Sequence, residues 1–177
     1  MCLILLNVTL FYQKETFYLL LLKIKDSGLN DTWVIATYIF YNLIYALLAY
    51  PIGILADKLG LKKIFLMGLF VFAIVYAGFA VNNNLTIFFA LFFLYSVYAA
   101  ATEGISKAWI SNIVPKEETA TALGTYAGLQ SLCTLVASSL TGFLWFQYGA
   151  LVTFSVTAGV TLVVIIYLGT LKDKIRI

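Results

Sequence analysis

Histidine is missing from this chain, and cysteine occurs only at Cys2 and Cys133. Without an imidazole there is no convenient proton carrier near neutral pH. Two distant cysteines with no histidine between them support neither a metal cluster nor thiol chemistry. Charge is scarce as well: Asp, Glu, Lys and Arg make up 11% of the residues, where an ordinary soluble domain carries about 25%. The phosphate-cradling pattern Gly-x-x-x-x-Gly-Lys-Ser/Thr does not occur, so direct use of ATP is unsupported. No nucleophile stands with a matching base, so no catalytic residue, no metal and no cofactor is expected, and the chain does not read as an enzyme. The net charge of +3 does not point to nucleic acid, because most of the cations lie in connectors and in the C-terminal tail.

What fills the chain is apolar: 63% of the residues are hydrophobic and 16% aromatic, with 2 prolines to interrupt them. Since a helix needs about 20 apolar residues to cross a bilayer, 177 residues accommodate six spans with short connectors. The expected fold is an all-α membrane protein, one six-helix transmembrane domain over residues 1–177. Its spans fall at about 3–22, 33–55, 62–81, 85–108, 117–143 and 150–171. Asn30 or Asp31 is placed to cap the second span. Asn82-Asn83-Asn84 and Tyr148-Gly149 read as polar and minimal turns, and Pro115-Lys116-Glu117-Glu118 sets a proline and two acids at a helix start, where the macrodipole favours them.

Cations in alternate connectors fix the expected orientation. Lys58, Lys62, Lys63, Lys116, Lys172, Lys174 and Arg176 lie on one side, and Lys23 and Lys25 on the other. The Lys- and Arg-rich side is cytoplasmic by the positive-inside rule, which puts both termini there, in a multi-pass protein of the plasma (inner) membrane. Trp33 and Trp145, near outer segment ends, suit either an interfacial belt or internal packing.

Polar groups inside spans are costly and face a cavity or a partner. The first segment holds Asn7, Thr9, Gln13, Lys14, Glu15 and Thr16. It lacks a basic leader region and a small-residue cleavage site, and so reads as a retained span rather than a signal peptide. Two readings stand: a helix facing a solute, or a truncated span that sits imperfectly. The fourth segment carries Glu103 and Lys107, four residues apart with the acid first, the better order for an i,i+4 pair. On the second span Tyr38, Tyr41, Asn42 and Tyr45 follow helical spacing. That stripe suits either a cavity wall for an amphipathic solute or helix packing; Tyr95 and Tyr98 on the fourth span are lesser candidates. Gly124 and Gly128 have the spacing by which helix backbones approach closely.

The connector Gly53-Ile54-Leu55-Ala56-Asp57-Lys58-Leu59-Gly60-Leu61-Lys62-Lys63 carries the most specific signal. Gly53 leaves room for a neighbouring helix, Gly60 allows the chain to reverse, and Asp57 is placed to face the positive end of another helix. This segment resembles the loop motif of the major facilitator superfamily, which lies between the second and third helices of each six-helix half. Leu61 stands where a cation is common. Val114-Pro115-Lys116-Glu117-Glu118-Thr119-Ala120-Thr121-Ala122-Leu123-Gly124 is similar to the family's helix-entry pattern, with Thr119 and Ala120 in place of the usual Arg and Gly.

The resemblance implies one half, most like the C-terminal half, of a general-substrate-transporter fold. Such a permease is a secondary transporter that moves a small solute by alternating access between two halves. It implies a cytoplasmic gating motif of Gly53, Asp57, Lys58, Gly60, Lys62 and Lys63 with Glu103. It also implies a possible cavity for solute or coupling formed by Gln13, Glu15, Tyr38, Tyr41, Asn42, Tyr45, Glu103 and Lys107. Proton coupling would fall to Glu15 or Glu103, the acids inside spans. The expected partners are the lipid bilayer, an unidentified small solute and a second six-helix half from the same gene, a neighbouring gene or a homodimer. A remnant of a longer gene or a fragment is the favoured account of the half length; the alternative function is a non-transporting membrane subunit that regulates another transporter half.

Overall fold

The computed structural model describes residues 20–23, 25, 30–82 and 84–170. Four stretches among them are long and apolar enough to cross a membrane. We name α1 (Asp31–Leu59), α2 (Leu61–Val81), α3 (Leu85–Ile113) and α4 (Thr119–Thr170), with a short 3-10 turn at Lys116–Glu118 before α4. The expected first span, with Gln13 and Glu15, lies outside the described residues, as do Cys2 and the basic tail.

The helix α4 is two helical arms joined at a kink. Its 52 residues would measure about 78 Å if straight, against a hydrocarbon core of about 30 Å. Gly149 breaks it with φ 77° and ψ 179°, a conformation open essentially to glycine alone. The rings of Trp145 and Phe154 stand 5.5 Å apart across that break, although nine residues of straight helix would separate them by about 13 Å along the axis. The minimal turn expected at Tyr148-Gly149 is therefore present. Gly60, at φ 99°, makes the corresponding reversal between α1 and α2.

Several boundaries differ from the apolar windows. The helix α1 runs on to Leu59 and α3 to Ile113, because hydropathy marks where lipid ends, whereas the helix stops at Gly60 or before Pro115. Asn30 does occupy the α1 cap position, but its side chain makes no cap bond; its carbonyl accepts from the Trp33 and Val34 amides instead. At the other entry the Pro115 carbonyl accepts from Glu118 N–H and from the Thr119 hydroxyl, so the proline opens the 3-10 turn and not the α-helix.

Helices α2 and α3 form the middle of the bundle. On α2, Phe65, Leu69, Phe72, Tyr76 and Phe79 recur at three- and four-residue spacing and are fully buried. They meet Phe88, Phe92, Tyr95 and Tyr98 of α3 in a continuous aromatic core, with Phe72 and Tyr76 stacked at 4.1 Å. Phe154 brings in the second arm of α4, edge-on to Tyr76 at 5.7 Å. Lipid is as apolar as these side chains, so fit and close approach hold such a bundle together rather than expulsion of water. Two glycines permit that approach. A Cβ on Gly68 would lie 2.9 Å from both Ala101 Cβ and Thr102 Cγ2, and one on Gly78 would lie 2.7 Å from Leu91 Cδ2.

Among the described residues, a Cβ on Gly124 or Gly128 would meet nothing within 4 Å, so the close approach their spacing implies is not made there. They lie on the first arm of α4, where most of the described residues are exposed. The second arm instead buries Thr153, Thr157 and Thr161. Each hydroxyl donates to the carbonyl four residues earlier, at 2.8 to 2.9 Å, so these three hydroxyls are satisfied within the apolar core.

Candidate functional site

The tyrosine stripe of α1 divides when the helix docks. Tyr41 and Tyr45 are partly buried and stack on each other at 6.3 Å. Tyr38 remains exposed, and Asn42, also exposed, donates to the Tyr38 carbonyl at 2.8 Å within its own helix. The docking is specified by a polar contact. Ser96, completely buried on α3, donates to Phe92 O at 2.9 Å and lies 3.3 Å from Tyr41 O. A hydroxyl with access to a carbonyl on another helix fixes how α1 sits along α3.

Tyr41 then lies 5.4 Å from Tyr95, and Tyr95 lies 5.3 Å from Tyr98. Below these rings, half-buried on α3, is Glu103. Tyr45 of α1 stands within electrostatic reach of its carboxylate. Tyr41, Tyr95 and Tyr98 stand within electrostatic reach of the same carboxylate, and Tyr126 of α4 approaches it from a third helix while bonding Ser106. Glu103 is thus the charged member of a cluster of five tyrosines drawn from three helices. Sequence periodicity marked Tyr41 and Tyr45 strongly, Tyr95 and Tyr98 weakly, and Tyr126 not at all.

The structure does not join the other charged groups to Glu103 in the way their spacing invites. Lys107 is exposed, and among the described residues no ion pair links Glu103 to Lys107, Lys58 or Lys63. Lys25 and Asp31 form an ion pair at 2.9 Å, largely exposed. Along α1, Lys58 lies more than three turns beyond Tyr45, about 20 Å.

The connector itself is open to its surroundings. Asp57, Lys58 and Lys63 are exposed, and a Cβ on Gly53 would meet nothing within 4 Å. Gln13 and Glu15 lie outside the described residues.

Residues 3–175 match the Major Facilitator Superfamily. The chain belongs to that superfamily. An uncharacterized MFS-type transporter of Methanocaldococcus jannaschii is 38% identical over 133 residues, which take in 73% of this chain and 33% of that protein. The chloramphenicol resistance protein CraA of Acinetobacter baumannii is 27% identical over 120 residues, 68% of this chain and 29% of its own. The chain spans about a third of the length of the curated relatives it matches. Superfamily membership, with helices of spanning length and composition, makes this an integral membrane protein.

Proposed function

We propose that this superfamily member works as one six-helix unit, residues 1–177, of a secondary transporter that moves a small solute by alternating access. The observation that carries the reading is Glu103, a half-buried carboxylate within a helix of spanning length, on the same helix as Tyr95 and Tyr98, whose rings meet Tyr41 of α1. An ionisable side chain at such depth is costly unless it serves a cavity, a pathway or a partner. Glu103 is accordingly given the cavity role, with proton coupling as a second use of the same group. The connector residues Gly53, Asp57, Lys58, Gly60, Lys62 and Lys63 are assigned to a cytoplasmic gate. Their partner is a second six-helix unit, which the exposed Asp57 and the open face at Gly53 are suited to meet. Both termini are cytoplasmic in this reading.

Uptake by reconstituted vesicles tests it. The chain, alone or with a co-expressed second unit, is expected to give solute flux that Glu103→Gln removes or uncouples from a pH gradient. Absence of flux in every combination would leave the competing reading, a non-transporting subunit that assembles with another transporter half. The exposed, uncovered faces of α1 and of the first arm of α4 are equally compatible with that assembly.

A further inference from the structure

We draw no further inference here: the strongest candidate, the exposed face along the first arm of α4 that carries Gly124, Gly128, Ser131 and Ser139 among apolar side chains, is an unpartnered small-residue surface, and nothing in the structure shows what covers it.

Discussion

Replacing Gly68 by alanine should show how far close helix approach holds this bundle together. The new Cβ would stand 2.9 Å from Ala101 Cβ and 2.9 Å from Thr102 Cγ2, where carbon atoms settle at about 3.5 to 4.0 Å. Neither neighbour can step aside. Ala101 has no rotamer, and Thr102 is held by its hydroxyl donating to the Tyr98 carbonyl at 2.9 Å. Helices α2 and α3 must therefore part by roughly half an ångström or more, and overpacking of this kind costs about 1 to 3 kcal/mol. Alanine also favours the helix over glycine by about 1 kcal/mol, which would hide part of the effect. Gly124→Ala is the matched control, since it carries the same propensity gain at a position with open space. The two variants should differ by about 1 to 3 kcal/mol in unfolding from detergent micelles, with Gly68→Ala the weaker. Adding Ala101→Gly should recover part of the loss in Gly68→Ala and none in Gly124→Ala. Stabilities within about 0.5 kcal/mol of each other, or no recovery specific to Gly68, would refute the reasoning. Gly78→Ala should cost less than Gly68→Ala, because its nearest neighbour is the movable end of Leu91.

Gly149→Ala should destabilise by about 1 to 3 kcal/mol through its positive φ alone, visible as a lowered melting point, whereas Gly159→Ala, in open helical surroundings, should not. Ser96→Ala removes the hydroxyl between α1 and α3; a loss of about 0.6 kcal/mol is expected from unfolding titrations, and no loss would mean that the contact with the Tyr41 carbonyl does not bear on stability. Asp57→Lys is expected to abolish uptake in vesicles while the chain still inserts into the membrane, and unaltered uptake would remove the connector from gating. Cysteines placed at Lys63 and at Asn84 should be labelled by an impermeant thiol reagent from opposite sides of the membrane; labelling from one side would overturn the assigned topology.

Much was legible without coordinates, for a physical reason. Bilayer thickness fixes the length of a span, and a charge count fixes a preferred side, so apolar runs and short basic connectors suffice to outline a membrane helix bundle. Gly60 and Gly149 were legible as turns because only glycine takes their backbone angles readily. The connector and the Pro115 segment were specific enough to indicate the superfamily. Periodicity was a weaker guide to packing. It placed Tyr38 and Asn42 beside Tyr41 and Tyr45, yet docking on α3 buried one edge of the stripe and left the other exposed.

The sequence alone therefore determined that the chain is a helical membrane protein and which superfamily it resembles, since each follows from local composition, spacing or motif. The tertiary structure decided which glycines meet a neighbour, that Ser96 sets α1 against α3, and that among the described residues no ion pair joins Glu103 to Lys107. Those outcomes depend on which helix faces are brought together, by contacts between residues far apart in the chain, and no local pattern encodes them.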